Sequence, residues 1–287
     1  GELSPKKLED IPFIHVGAFK SIPLITIAEG IEHQRKLLSS ATTSGESSII
    51  ALDKKSSELQ TKSVYSILGD FIGIKKRPLV VLDNQKSLIS RGNLSARIAA
   101  ALSLQKFASS THFVLGRGDG GEILDLKKIE IATSGVDDII VYGFTWVLWA
   151  EWAKCDQVSE LKEILRGKKI TFVHSGGWKK LENESVSRKQ FDETLLSDLH
   201  IDSRVVDYYG LVEQVGIIYP LCEFGYRHVP IWADIFVRDP WTLKPIYGET
   251  GQIQLMNLLA RGSPYHSVLT EDLGVIHEGE CSCGRSG

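Results

Sequence analysis

The chain has 287 residues, 43% of them hydrophobic and 24% charged, so it can bury a core of ordinary size and wholesale disorder is excluded. Lys and Arg number 33 against 36 Asp and Glu, a net charge of −3 that gives no electrostatic reason to expect nucleic acid or an anionic membrane as partner. No apolar run reaches the roughly 20 residues a membrane-spanning helix needs. The richest run, 139–150 (IIVYGFTWVLWA), is followed by Glu151. The first residues lack the apolar segment of a signal peptide, and four cysteines are too few for a disulfide scaffold. A reducing cytoplasm is the expected location, and clustered cysteines there point to metal or catalysis.

Residues 77–84 (RPLVVLDN) read as a buried strand, and 95–109 as a helix with Ala and Leu at helical spacing. Residues 112–115 are strand-like and lead into the loop GRGDGG at 116–121. A strand at 137–142, a Trp-bearing helix at 145–153, a helix at 159–166, a strand at 169–174 and a helix at 187–199 follow. From Arg204 the pattern turns to strands and turns: RVVDYY, VGIIYP, PIWADIFV and GQIQLMN. Strand–helix alternation followed by hairpin-like strands predicts an α/β core over 1–203 and a β-rich part over 204–287. GRGDGG reads as a tight turn rather than a dinucleotide fingerprint, because no helix follows at the needed spacing. Trp146, Trp149 and Trp152, at helical spacing, are expected in the core, with a hydrophobic acyl tunnel as the alternative. Cys155 has no partner in sequence and reads as core. No G-x-S-x-G elbow supports a serine hydrolase.

Residues 39–48 (SSATTSGESS) are rich in hydroxyls and hold a glycine. Such a stretch can wrap a polyphosphate with closely spaced donors, or be a plain surface loop. It lacks the lysine of GxxxxGK[ST]. Its order resembles the Ser/Thr/Gly-rich phosphate loop of adenylate-forming enzymes, with Ala41 where glycine is usual. HSGGWK at 174–179, YYGLVEQVG at 208–216, GETGQI at 248–253 and LTEDLG at 269–274 resemble further motifs of those enzymes, in the same order. The wording of IPFIHVGAFKS, HSGGWK, RHVPIWADIFVRDP and CSCGRSG is most similar to acyl-protein synthetases of the LuxE type, and more distantly to phenylacetate–CoA ligases.

The resemblance implies the large N-terminal domain of an adenylate-forming enzyme: mixed sheets flanked by helices, plus a smaller antiparallel β portion. It implies ATP-dependent activation of a carboxylic acid, fatty in class by the LuxE likeness, to an acyl-adenylate and transfer to a thiol of a protein or of CoA. The alternatives are an acyl- or aryl-CoA ligase, or a nucleotide- or acyl-binding module without catalysis. Ser40, Thr42, Thr43, Ser44 and Gly45 are expected at the phosphates, with Thr43 counted among the catalytic residues. Gly176 and Gly177 are expected at adenine with Tyr209 and Gly210, and Asp272 at the ribose hydroxyls. Glu213 is expected to bind Mg²⁺, which favours one or two carboxylates together with phosphate. His174 ends a strand beside glycines; it is either a site residue near the reacting carboxylate or phosphate, or a satisfied buried histidine.

Cys222, His228, Cys281 and Cys283 make up a possible tetrahedral Zn²⁺ set, although CxC is tighter than the usual CxxC and the halves lie far apart. The alternative is a set of ordinary thiols and a surface imidazole. A similar Cys, Gly-x-His and late Cys-x-Cys-Gly arrangement in phenylacetate–CoA ligase-like proteins implies a structural zinc. The small C-terminal lid of the resembled enzymes, with its lysine, is expected to be missing, and the acceptor cysteine of LuxE-type proteins is not assignable. The partners expected are the acid, the thiol acceptor and other members of an acyl-transfer complex.

Overall fold

The apolar run after Arg77 forms a strand, Arg77–Val81, in which every residue is buried. Asp138–Phe144 and Lys169–Ser175 are likewise buried beyond their first residues. Continuous burial of this kind is the mark of a parallel sheet covered on both faces. The computed structural model describes residues 5–39, 47–85, 94–118 and 121–285. It divides into two compact units: residues 1–64 with 210–287, and residues 65–209. The stretch 1–64, expected with the α/β core, thus groups with the C-terminal strands.

In the second unit five parallel strands lie side by side in the order Arg204–Tyr209, Lys169–Ser175, Asp138–Phe144, Arg77–Val81, Ala108–Phe113. Arg204–Tyr209 was expected among the hairpin-like strands; it instead pairs parallel with Lys169–Ser175, His174 opposite Asp207. Its alternating burial resembles that of a half-buried antiparallel strand. The preceding helix Arg188–Leu196 makes the parallel return possible, and such a crossover is not visible in the strand itself. The helix expected over 95–109 is shorter: Ala96–Ser103, a 3₁₀ turn Leu104–Phe107, then the strand from Ala108. GRGDGG is the turn of a ribbon, Leu115–Gly118 antiparallel to Gly121–Leu124, with Asp119 and Gly120 outside the described residues.

The helix expected over 145–153 is one α-turn, Thr145–Val147, continued by a π-turn, Leu148–Ala153. Trp149 stacks on Phe191 and meets Trp178 edge-on, and Trp152 meets Phe172 edge-on. Both tryptophans are buried, as the core reading expected. Trp146 is half-buried, and its indole N–H has no hydrogen-bond partner among the described residues.

In the first unit Ala233–Arg238, Gly251–Asn257 and Ser267–Gly274 form antiparallel neighbours, and Ile14–His15 adds a parallel edge against Val268 and Leu269. His33–Leu38 and Ile49–Asp53 form a hairpin. VGIIYP is not a strand along its length; only Tyr219–Pro220 is extended in a ladder. The 3₁₀ turn Val212–Gln214 and Gly216, at φ +89°, bend the chain just before. No helix among the described residues is long and apolar enough to cross a membrane.

Candidate active site and metal cluster

The hydroxyl-rich stretch is the connection of the hairpin. Ser39 N–H donates to Ser48 O at 3.1 Å, and Ser48 N–H donates to Ser39 Oγ at 2.8 Å, closing the loop at its base. Ser40, Thr42, Thr43, Ser44 and Gly45 lie outside the described residues. The base is anchored within the first unit: Ala51 N–H donates to Ser263 Oγ at 2.9 Å, and a side chain at Gly262 would overlap the Ala51 carbonyl.

The Tyr-Gly-x-x-Glu segment falls on both units, Tyr209 at the end of the second and Gly210 at the start of the first. Glu213 sits in the 3₁₀ turn next to Gln214. Gln214 is fully buried and donates from Nε2 to Tyr265 O at 2.8 Å and to Leu255 O at 3.3 Å. It also accepts from Asn257 Nδ2 at 2.9 Å. These bonds fasten the turn to the Gly251–Asn257 strand. Glu213 is only 4% exposed and makes no hydrogen bond or ion pair among the described residues. Asp272, on the paired strand Ser267–Gly274, is exposed. Its N–H donates to Thr270 Oγ1 at 3.1 Å, and Gln252 Nε2 donates to Thr270 O at 2.6 Å. The Glu213 turn is fastened at Leu255 and Thr270 at Gln252, three residues along one strand or about 10 Å. The first unit therefore fastens the turn that carries Glu213 and the strand that carries Asp272 to one common strand, Gly251–Asn257.

In the second unit the carboxyl ends of the parallel strands carry the remaining expected residues, the end at which ligands bind in parallel α/β sheets. His174 is 3% exposed, with Nδ1 2.9 Å from Thr145 Oγ1 and 4.0 Å from Asp207 Oδ1. Its ring packs against Phe191, centroids 5.0 Å apart. Gly176 has φ +77°, and a Cβ there would stand in ordinary contact with the Phe144 ring at 3.5 Å. Gly177 is exposed, with no described atom within 4 Å of where a Cβ would stand. Lys179 lies over the Phe144 ring at 5.0 Å. Burial, and then the Arg97 charge, holds the Lys179 ammonium below its usual range. Arg97 itself is bound by Asp83, Nε to Oδ2 at 2.5 Å and NH2 to Oδ1 at 2.8 Å. Burial pushes the Tyr142 and Tyr208 hydroxyls up, so both stay protonated near neutral pH. Sequence reasoning missed Thr145, Asp83, Arg97 and Gln214, none of which stands in a recognisable spacing.

Cys222, His228, Cys281 and Cys283 converge in the first unit, with one donor atom from each inside a mutual separation of 4.8 Å. Cys222 and His228 flank a turn closed by Cys222 N–H to Tyr226 O at 2.8 Å, with Gly225 at φ +82°. Gly284 N–H donates to Cys281 O at 3.0 Å and shapes the second half. Cys222 Sγ and Cys281 Sγ are 3.8 Å apart, and Cys283 Sγ is 3.2 Å from His228 Nε2. Two thiolates on tetrahedral Zn²⁺ at about 2.3 Å would be ~3.8 Å apart. The residues fit that ion.

The family model "Acyl-protein synthetase, LuxE" matches residues 3–287. The chain is similar to long-chain-fatty-acid–luciferin-component ligases of Aliivibrio fischeri, 26% identical over 285 residues, and Vibrio harveyi, 25% over 284. The match covers 94% and 95% of this chain, and 70% and 71% of those proteins. Among solved structures, the anthranilate CoA ligase AuaEII with anthranoyl-AMP is similar at a TM-score of 0.53 and 12% identity. That alignment covers 84% of this chain and 45% of the ligase, so the chain spans less than half of that enzyme. The fold is the mixed α/β fold of adenylate-forming enzymes.

Proposed function

The chain belongs to the LuxE acyl-protein synthetase family, and from that membership we propose that it activates a long-chain fatty acid with ATP and passes the acyl group to a thiol. One carboxylate oxygen of the acid attacks the α-phosphorus of ATP, the bond to the bridging oxygen breaks, and pyrophosphate leaves. A thiolate then attacks the acyl carbon and AMP leaves, the thiol proton going to solvent. Little covalent work falls on the protein, whose part is positioning and neutralising charge.

Glu213, a buried residue whose carboxylate has no hydrogen-bond or ion-pair partner among the described residues, is the observation that carries this reading. It would hold Mg²⁺, which supplies positive charge to the phosphate oxygens. Gln214 keeps the turn from swinging as charge builds. Asp272, an exposed residue of the Ser267–Gly274 strand, would accept from the ribose hydroxyls. Gly176 and Gly177 would lie at adenine with Tyr209 and Gly210, and Ser40, Thr42, Thr43, Ser44 and Gly45 at the phosphates. Cys222, His228, Cys281 and Cys283 would hold a structural Zn²⁺, since four protein ligands leave no open position for catalysis. The two units are proposed to make up one large adenylate-forming domain, and a cytoplasmic multienzyme acyl-transfer complex is the proposed setting.

The test is pyrophosphate exchange into ATP, dependent on Mg²⁺ and a long-chain fatty acid. Wild-type protein is expected to catalyse it, and Glu213→Gln to lose at least about a hundredfold. Wild-type protein without exchange would overturn the activity. Full exchange by Glu213→Gln would remove Glu213 from the site. Thioester product that forms only with CoA would favour the acyl-CoA ligase alternative over transfer to a protein thiol.

A further inference from the structure

Thr145 stands at the end of the Asp138–Phe144 strand, where the second unit turns into its π-helical segment, and it touches the neighbouring strand end at three points. Its Oγ1 lies 2.6 Å from Gly176 O, 3.2 Å from Ser175 O and 2.9 Å from His174 Nδ1. A hydroxyl has one proton to donate. Both carbonyls can only accept, and the shorter contact assigns that proton to Gly176 O. His174 Nδ1 must then donate to Thr145 Oγ1. The Asp207 carboxylate, 4.0 Å from Nδ1, favours the proton on that nitrogen. A chain of donation therefore runs from His174 Nδ1–H through Thr145 Oγ1–H to Gly176 O. Thr145 and His174 are both buried, which shields the links from water and lets each strengthen the next.

A trans peptide is planar, with its carbonyl and the following N–H pointing in opposite directions. Holding the Gly176 carbonyl thereby holds the Gly177 N–H, aimed away from Thr145. That N–H has no protein acceptor among the described residues, and the space beside Gly177 is open. Gly176 at φ +77° has the conformational freedom that lets the peptide take this orientation.

We infer that Thr145 is a positioning residue, which with His174 locks the Gly176–Gly177 peptide so that the Gly177 N–H is a fixed hydrogen-bond donor to an acceptor nitrogen of a purine base. The inference deepens the nucleotide-binding reading above and rests on it. His174 acts through Thr145 and needs no contact with the reacting atoms. Either charge state of His174 leaves Nδ1 as donor, so the lock persists whether the imidazole is neutral or protonated.

Two measurements on Thr145→Val and Thr145→Ser test it. The first is the ¹⁵N order parameter of Gly177 in glycine-labelled protein. It is expected to fall from the rigid range, about 0.85, towards 0.6 in Thr145→Val and to stay high in Thr145→Ser. The second is pyrophosphate exchange, where Thr145→Val is expected to raise KM for ATP about tenfold. Its kcat and KM for fatty acid should stay within about twofold, and Thr145→Ser should restore KM for ATP. If Thr145→Val does not fold, Thr145→Ala removes the hydroxyl with less bulk and is read the same way. An unchanged Gly177 order parameter, or a loss of kcat with KM for ATP unchanged, overturns the inference. Wild-type protein that binds no ATP overturns the nucleotide reading, and the base contact with it, whereas wild-type ATP binding beside an unaffected Thr145→Val overturns the lock alone.

Discussion

Gly216 leaves no room for a side chain. Its φ is +89°, and a Cβ would stand 2.6 Å from the Gln60 Cα within the first unit. Gln60 cannot retreat without moving the helix that carries it. Gly216→Ala is therefore expected to destabilise by about 3 kcal/mol or more, read from the denaturation midpoint. The same substitution at Gly177, where the space is open, should cost less than about 1 kcal/mol. Both glycines were visible in the sequence as motif letters. Only the packing shows that one is required by overlap and the other leaves room for a ligand. Glu213 was legible in the same way. Its burial without a partner was not, because that depends on Gln214 being tied to Leu255 and Tyr265, more than 40 residues away.

The helix Lys54–Ile72 begins behind Asp53, whose Oδ1 accepts from Ser56 N–H at 2.9 Å and whose Oδ2 lies 3.4 Å from Arg261 Nε. Burial alone would raise the Asp53 carboxyl. Hydrogen bonding from Ser56 and the Arg261 charge outweigh it and hold the group below its usual range. The unfolded chain then binds the proton more readily, so stability rises with pH across this transition. The contribution is complete above the unfolded value of about 3.9 and is lost as pH falls through the lower folded value. Asp53→Ala is expected to cost about 1 kcal/mol at neutral pH and to flatten the acid limb of the stability curve, measured by urea unfolding from pH 2 to 7. At this scale the buried strands were readable, because 78–82 (PLVVL) and 139–142 (IIVY) are continuous apolar runs. The π-turn Leu148–Ala153 was not: its periodicity is helical, and the wide turn serves the packing of Trp149 and Trp152 on Phe191 and Phe172.

Cys222 and Cys281 stand 59 positions apart, and His228 and Cys283 are separated by 55. A metal there closes a long loop onto the rest of the first unit. Purified protein is expected to carry about one zinc per chain by elemental analysis, and Cys281→Ser near zero. Chelation should lower the unfolding midpoint of wild-type protein and leave Cys281→Ser unaffected, since ligand-set binding energy is folding energy. Zinc absent from wild-type protein would leave the cluster as plain thiols. The four candidate residues were legible from composition and from a resemblance. Their meeting within 4.8 Å was not, because CxC and Cys-x₅-His do not state that they share a centre.

By itself the sequence determined the residue types available, the alternation of buried strands with helices and the order of motifs that carries family membership, all of which are local along the chain. Tertiary structure decided that 1–64 joins 210–287, that Arg204–Tyr209 runs parallel beside Lys169–Ser175, and that Thr145 reaches the Gly176 carbonyl. The physical reason is that hydrogen bonds and burial act through space, whereas spacing records only neighbours along the polymer.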